Sequence, residues 1–374
     1  MFERLETLQD VLPHISYENG ISVSDRGDFT VVNYQFTTDG TFANRIAREC
    51  RGLKFDPDGW LIARPFHKFF NLGEKRPPEA EAWDSPHTVM DKLDGSMVHP
   101  CPVAGELRLM TRGGLSPQAM AAEQVASAGV LSLCCDMVAA GMTPVFEFTS
   151  PDHRIVLAYD RPDLTLLAVR DITTGDYLPQ AELVALGTKY DVPIVQIFDG
   201  VADLKAFMAQ ARGLDGREGY VVAFASGERV KLKADAYVLR HKALSALSHE
   251  KNVLAMVTQQ TVDDVLPLLA PDVAARLSAY ADSVMRGLAA REAEIEAFVT
   301  SHAGLARKAF AQTVQAELDR RFHAVAFRRR DGTPVRAGLI EVLQRAAQSD
   351  TRVETLRDLI GTTWASDGLL GGSI

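Results

Sequence analysis

The stretch Thr88-Val89-Met90-Asp91-Lys92-Leu93-Asp94-Gly95-Ser96-Met97-Val98-His99 sets a lysine at the end of a β-type run, beside a carboxylate and a glycine. Thr88, Val89 and Met90 read as a short strand, and Met97 to His99 as its continuation beyond a tight turn. A lysine on such a bend can attack phosphorus when its amine is neutral and the phosphate charge is offset. Alone, Lys-x-Asp-Gly carries little weight, because on the order of one chain in ten of this length contains it by chance. The competing reading is a hairpin turn with a solvated lysine, since Asp-Gly is among the commonest turn pairs. The rest of the chain has to decide.

Outward from this stretch, β-type segments bounded by turn residues dominate from about residue 25 to 235. Arg51 to Phe55 and Trp60 to Arg64 flank Asp56-Pro57-Asp58-Gly59, a hairpin signal. Thr143 to Phe148, Leu164 to Asp171 and Tyr220 to Phe224 are further strands, and Arg229 to Lys233 returns through Ala225-Ser226-Gly227-Glu228. A helix is expected over Pro117 to Ala140 and a shorter one over Ala202 to Ala211. After about Tyr237 the alanine and leucine spacing is helical to Ile360, with Pro267 and Pro271 as breaks or first-turn residues. The predicted fold class is α+β: an antiparallel-sheet domain over residues 1–242, then an all-helical C-terminal domain over 243–374.

Composition narrows the function classes. With 374 residues, 47% hydrophobic and 24% charged, the chain can build two or three domains with cores. A net charge of −9 argues against coating nucleic acid by bulk electrostatics. The imbalance is uneven: residues 301–374 hold 11 Lys/Arg against 8 Asp/Glu, a net of +3. A nucleic-acid enzyme of this composition would grip a strand end through a local basic site. No apolar run approaches the ~18–20 residues that span a bilayer, and Met1-Phe2-Glu3-Arg4-Leu5-Glu6 is not expected to be a signal peptide. Cys50, Cys101, Cys134 and Cys135 lack zinc or redox spacing, so free thiols and a cytoplasmic location are expected.

Several common phosphate devices are absent: there is no Gly-x4-Gly-Lys-Ser/Thr loop and no Gly-x-Gly-x-x-Gly after a strand. What remains is a series of charged residues on β-segments: Lys92, Asp94, Glu147, Glu218, Lys231 and Lys233. Period-2 alternation puts Lys231 and Lys233 on one sheet face and Leu232 on the other. In Phe146-Glu147-Phe148 the carboxylate faces away from two apolar neighbours. Each pattern alone is more often an amphipathic edge or a half-buried strand.

In order and spacing, Lys92-Leu93-Asp94-Gly95, Phe146-Glu147-Phe148, Glu218-Gly219-Tyr220-Val221-Val222 and Lys231-Leu232-Lys233 resemble motifs I, III, IV and V of the covalent nucleotidyltransferases. That superfamily holds the ATP-dependent DNA and RNA ligases and the mRNA capping enzymes, on an ATP-grasp-like ligase domain. Glu49-Cys50-Arg51-Gly52-Leu53-Lys54-Phe55, Arg64-Pro65-Phe66-His67-Lys68-Phe69-Phe70-Asn71 and Arg154-Ile155-Val156-Leu157-Ala158-Tyr159 are similar to one branch, the tRNA-repair RNA ligases of T-even bacteriophages. The resemblance runs from about Tyr34 to Asp264. A helical rather than β-rich OB continuation after Lys233 fits the phage-type RNA ligases better than DNA ligases or capping enzymes.

The resemblance implies an ATP-dependent RNA ligase working in three steps. Lys92 attacks the α-phosphate of ATP, releasing pyrophosphate and leaving a lysyl-adenylate. AMP passes to an RNA 5′-phosphate, and a 3′-hydroxyl then displaces AMP. A free lysine has a pKa of ~10.4, so Lys231, Lys233 and a divalent cation are expected to lower that of Lys92 by charge repulsion. The implied nucleotide contacts are Tyr34, Arg51, Lys68, Lys92, Gly95, Arg112, Glu147, Gly219, Lys231 and Lys233. Tyr34 reads equally as a core strand tyrosine. Asp94, Glu147 and Glu218 would position hydrated Mg²⁺ or Mn²⁺, with the ribose as an alternative partner for Glu147.

Asp263 and Asp264 match a family aspartate pair that can bind a divalent cation. After Thr261 they equally suit a helix N-terminus. Arg328-Arg329-Arg330, with Arg320 and Arg321, reads either as a solvated helix end or as a contact to RNA phosphates. By resemblance the partners are RNA with 5′-phosphate and 3′-hydroxyl ends, in particular cleaved tRNA, and a polynucleotide kinase-phosphatase that prepares them. A phage origin would make the location the host cytoplasm. The rivals are a nick ligase of DNA or broad specificity and a non-catalytic RNA-binding sensor. Retention of each charged residue type that the chemistry needs counts against the sensor.

Overall fold

The computed structural model describes residues 2–74, 83–366 and 369, and the chain divides into two compact units, Met1–Val238 and Leu239–Leu370. The α+β expectation holds: antiparallel sheets make up most of the first unit, and helices the second. The division falls within the helix Asp235–Leu247.

Three sheets build the first unit. The first joins β1 (Ile21–Asp25), β2 (Thr30–Tyr34), β3 (Arg51–Phe55) and β4 (Leu61–Ala63) in sequential order. The others use β5 (Phe70–Asn71), β6 (His87–Asp91), β7 (Ser96–Val103), β8 (Glu106–Met110), β9 (Met142–Thr149), β10 (Asp163–Asp171), β11 (Ile197–Phe198), β12 (Gly219–Phe224) and β13 (Arg229–Lys233). The second sheet has the order β10-β9-β7-β8 and the third β11-β6-β12-β13-β5. Only the β13–β5 pairing is parallel among the described strands.

The Lys92 stretch is therefore not a hairpin. β6 and β7 belong to different sheets, and Lys92 to Gly95 is the link by which the chain leaves the third sheet for the second. Asp-Gly turn chemistry is local, whereas the strand partners are chosen by burial on each face. A second correction concerns Pro117 to Ala140, which forms two helices, Pro117–Val125 and Ala128–Ala139, bent 112° apart. Ser127 starts the second helix, its hydroxyl accepting from Val130 N.

Period-2 alternation produces a layered packing. In the second sheet Phe146, Phe148, Val98 and Leu166 bury one face against Ala122, Val130, Leu133 and Leu183 of the covering helices. Burying each phenylalanine contributes roughly 1.5–3 kcal/mol. In the third sheet Val89, Tyr220, Val222 and Leu232 pack on Ala211, with Phe207 and Met208 of helix Leu204–Arg212 against them. The opposite faces share a smaller apolar cluster of Phe66, Phe69, Val145 and Ala168, with Met97 and Val221 against it. Between these two faces Lys92 meets its partners.

Across the sheets runs a buried ion triad. Arg170 Nη1 and Nη2 donate to the Glu49 carboxylate at 2.7 and 2.8 Å, and Arg64 Nε donates to it at 3.2 Å. Glu49 closes the helix before β3, Arg64 follows β4 and Arg170 lies on β10, so the triad ties the first sheet to the second.

In the second unit, helix Pro271–Ser301 buries Val273, Leu277, Tyr280, Val284, Leu288, Ile295 and Val299, one stripe at three- and four-residue spacing. It packs against helices His323–Arg330, Val335–Ala346 and Arg357–Ile360. No single helix among the described residues is long and apolar enough to cross a membrane.

Candidate nucleotide site

Register assembles the site. On the face turned away from the helix, Gly219 pairs with Lys233 and Val221 with Lys231, while Met90 pairs with Val221. Lys92 continues β6, and its backbone N–H donates to Gly219 O at 3.0 Å. Lys92, Lys231 and Lys233 thus converge. Gly219 has φ +141°, a conformation that favours glycine, and an added Cβ would strike the Leu232 carbonyl. At Gly95 a Cβ would strike the Phe148 carbonyl, so the link can press onto β9 only without a side chain.

The link is fixed by hydrogen bonds from distant parts of the chain. Asp94 Oδ2 accepts from Val156 N and Leu157 N at 2.8 and 2.7 Å, and Oδ1 accepts from Tyr237 Oη at 2.6 Å. The Asp94 backbone N–H donates to Tyr159 Oη, and Gly95 N donates to Glu147 Oε1, both at 3.0 Å. Three strong donors hold Asp94 as a clamp on the turn.

Glu218, almost fully buried, stands between two lysines: Lys92 Nζ is 2.8 Å from Oε2 and Lys233 Nζ is 2.9 Å from Oε1. Burial raises the Glu218 pKa, but Lys92 and Lys233 outweigh it and the net shift is downward. For Lys92, burial favours the neutral amine, while Glu218, Glu147 and Asp94 favour the ammonium and win. Lys231 and Lys233 by themselves therefore do not bring Lys92 down; the expectation joined a divalent cation to them. Carboxylates, not lysines, are the groups nearest its Nζ, so it is held charged. Lys231 is the amine pushed down, to about 6, first by burial and then by Arg51, Lys92, Lys68 and Lys233. Glu147 rises to about 7, mainly through burial, with Glu218 adding and Lys92 opposing.

A cationic flank continues from Lys231. Arg112 lies 4.3 Å over the Tyr34 ring, and Lys68 Nζ lies 5.6 Å from the Tyr34 centroid and 5.3 Å from those of Phe42 and Phe70. Burial opposes ionisation of Tyr34, yet Arg51, Arg112 and Lys68 overcome it and lower its pKa. Arg51 Nη1 donates to Met97 Sδ at 3.1 Å. Beneath this flank Lys54, fully buried, donates from Nζ to the carbonyls of Gly52, Thr111 and Arg112 at 2.7, 3.3 and 3.2 Å. Lys54 thereby holds the Arg112 turn to β3.

Lys92, Gly95, Glu147, Arg51 and Lys231 line one cavity of about 180 Å³, with Phe66, Phe69, Met90, Leu93, Leu167 and Val221 among its walls. No group of three or more His, Cys, Asp or Glu side chains is arranged to hold a metal ion among the described residues. As a ligand Asp94 is tied to the turn, both its oxygens accepting hydrogen bonds from Val156, Leu157 and Tyr237. Glu147 fits better: its carboxylate is under-neutralised and would gain from a cation that keeps its water.

Asp263 and Asp264 lie in the second unit, exposed in the first turn of helix Val262–Val265, and the Thr261 side chain does not cap it. Of the arginine cluster, Arg321 pairs with Asp319 and Asp358, Arg328 with Glu341 and Arg329 with Glu296. Sequence reading assigned no role to Tyr237, Tyr159, Lys54 or Arg229. Tyr159 and Lys54 stood in recognised segments, but nothing local marked the other two.

A family model described as RNA ligase matches residues 49–242. A Thermovibrio ammonificans protein named "putative RNA ligase" is 36% identical over 191 residues, 49% of this chain and 50% of that protein. RNA ligase 1 of bacteriophage TS2126 is 32% identical over 225 residues, 54% of each chain. Both alignments thus span about half the length of these relatives. Among solved structures, an archaeal ATP-dependent RNA ligase is similar with a TM-score of 0.45 and 18% identity, covering 62% of this chain and 63% of its own.

Proposed function

Because the chain belongs to the RNA ligase family, we propose that it joins RNA 5′-phosphate and 3′-hydroxyl ends at the expense of ATP, through AMP carried on Lys92. The observation that carries this reading is the position of Lys92: its Nζ is fixed by Glu218 beside Lys231 and Lys233, at an apolar-walled cavity. Such an arrangement suits a nucleotide whose base enters the apolar part and whose phosphates meet the lysines.

On this reading Lys92 is the nucleophile. Its nitrogen forms a bond to the α-phosphorus as the bond to the pyrophosphate oxygen breaks, and its proton must leave. In the free protein the Glu218 carboxylate keeps that proton on the Lys92 amine. Binding of the triphosphate would draw Lys231 and Lys233 toward the α-phosphate and loosen the Glu218 pairing. Arg51 and Lys68 would hold the outer phosphates, with Arg112 and Tyr34 along the same flank. Glu147 would hold a water-shelled Mg²⁺ or Mn²⁺, with Glu218 as a further carboxylate once released. The metal would supply neutralisation of the phosphate oxygens. Asp94 positions the link and touches no reactant.

The RNA proposed is a cleaved tRNA, a substrate class that requires a kinase-phosphatase activity to generate the 5′-phosphate and 3′-hydroxyl. Residues 239–370 are proposed to select it. Incubation with α-labelled ATP and Mg²⁺ or Mn²⁺ should give an acid-labile protein adduct that Lys92→Ala lacks. A cleaved anticodon loop, a linear single-stranded RNA and a nicked DNA duplex should then be sealed with RNA preferred. ATP binding without an adduct would point to the sensor, and preferential sealing of DNA to the nick ligase.

A further inference from the structure

Arg229 lines the cavity at Lys92, where it meets the Tyr177 hydroxyl but keeps donors that neither the fold nor the chemistry above employs. Arg229, only 7% exposed, has no hydrogen-bond partner at Nε or Nη1 among the described residues. Its guanidinium lies 4.2 Å over the Tyr177 ring and 5.1 Å from the Phe66 centroid, and no carboxylate pairs with it among the described residues. Glu228, its neighbour in sequence, is taken by Arg48 at 2.6 Å. Leaving buried donors without acceptors is unfavourable, so such groups mark places where something else binds.

The sheet says which part of a nucleotide Arg229 would meet. On the site face, Lys233 and Gly219 form one row, Lys231, Val221 and Met90 the next, and Arg229 and Ala223 the third. Rows on one face are two residues, roughly 6.6 Å, apart along a strand. Arg229 thus stands at the end of the cavity away from Lys92 and Lys233. The cavity walls include Val221, Met90, Leu93, Phe66, Phe69 and Leu167, which suit a flat ring, alongside the cationic Lys231 and Arg51, which suit phosphates. A nucleotide with its α-phosphate at Lys92 and its base over Val221 and Met90 directs its Watson–Crick edge toward Arg229, since that edge is the part of a purine farthest from the ribose.

We propose that Arg229 is a specificity-determining residue that reads the purine edge, donating from its open N–H groups to N1 of adenine. Guanine carries a hydrogen at N1 and would meet donor with donor, so the same contact rejects it. The inference rests on reading this cavity as the ATP site.

The test compares ATP, GTP and 1-deaza-ATP, in which C–H replaces N1, by label transfer to the protein and by equilibrium binding. The wild-type chain should favour ATP over 1-deaza-ATP by about ten-fold or more, the scale of a hydrogen bond to a charged donor. Arg229→Met, which keeps the side-chain length and loses the donors, should weaken ATP by a similar factor and leave 1-deaza-ATP unchanged, so that the ratio approaches one. An unaltered ratio in Arg229→Met overturns the inference. So does equal use of ATP and 1-deaza-ATP by the wild type, a result that needs no variant to fold. If the wild type forms no adduct with any nucleotide, the ligase reading fails. The binding ratios then judge Arg229 separately.

Discussion

Lys92 Nζ lies 2.8 Å from Glu218 Oε2, so the proposed nucleophile is stored as an ammonium while Lys231, on the adjacent row, is the lysine nearest neutrality. Attack on phosphorus needs the opposite distribution, and substrate binding has to bring it about. In the free protein, pH-dependent labelling of lysines read by mass spectrometry should find Lys231 reactive from about pH 6 and Lys92 only above the ordinary lysine range. A Lys92 that titrates below Lys231 without nucleotide would falsify this account.

Lys92→Arg keeps the charge and can keep the pairing with Glu218, but a guanidinium does not deprotonate in a protein. The variant should melt close to the wild type and form adduct at least about a thousand-fold more slowly. Measurable transfer near the wild-type rate would move the nucleophile elsewhere.

Asp94 separates a clamp from a metal ligand. Asp94→Asn changes a carboxylate that accepts from Val156 N, Leu157 N and Tyr237 Oη, and should destabilise the protein by about 1–3 kcal/mol. Tyr237→Phe removes one of those bonds, for about 0.5–1.5 kcal/mol, with adduct formation retained. Raising Mn²⁺ should not rescue Asp94→Asn. Rescue by metal would return Asp94 to the ligand set.

Glu147 links the site to pH. Its folded pKa, about 7, lies above the ordinary 4.5 because burial opposes the charge. The folded state therefore binds the proton more tightly, and the associated stability is present below pH 4.5 and lost as pH rises through 7. Glu147→Gln removes the buried charge and should melt higher than the wild type at pH 8. The gap should shrink toward pH 4.5, and a gap independent of pH would refute the assignment.

The ion triad gives a prediction remote from the chemistry. Glu49→Gln leaves Arg64 and Arg170 without their shared carboxylate and should destabilise by about 3–5 kcal/mol. Adduct formation per folded molecule should hold at low temperature, since Glu49 does not line the cavity. Denaturant titration and label transfer on the same sample check both.

Much of the site was legible because strand periodicity is a local property. Lys231 and Lys233 share a face, and Glu147 turns from the core that holds Phe146 and Phe148, as alternation alone requires. The helical character after Tyr237 was legible for the same reason. At Asp94-Gly95 the bend was legible, because Asp-Gly favours a turn, but not that the strand after it joins a different sheet. The long helix Pro117 to Ala140 broke where Ser127 offered a second cap, a choice that apolar spacing does not register.

What the sequence determined by itself was the inventory and its spacing: a lysine before Asp-Gly, two carboxylates on later strands and a Lys-x-Lys strand, in the order shared by a ligase family. Only the tertiary structure decided the charge states and the supports. Asp94 is held by groups 62 and 143 residues farther along the chain, and the protonation of Lys92 depends on which carboxylate reaches its Nζ. Electrostatic and hydrogen-bond energies depend on distance in space and on burial, and neither is written in the order of residues. Arg229 illustrates the difference most plainly. In the sequence it is one more basic residue at the start of a strand, and in the fold it is a buried guanidinium whose Nε and Nη1 lack acceptors.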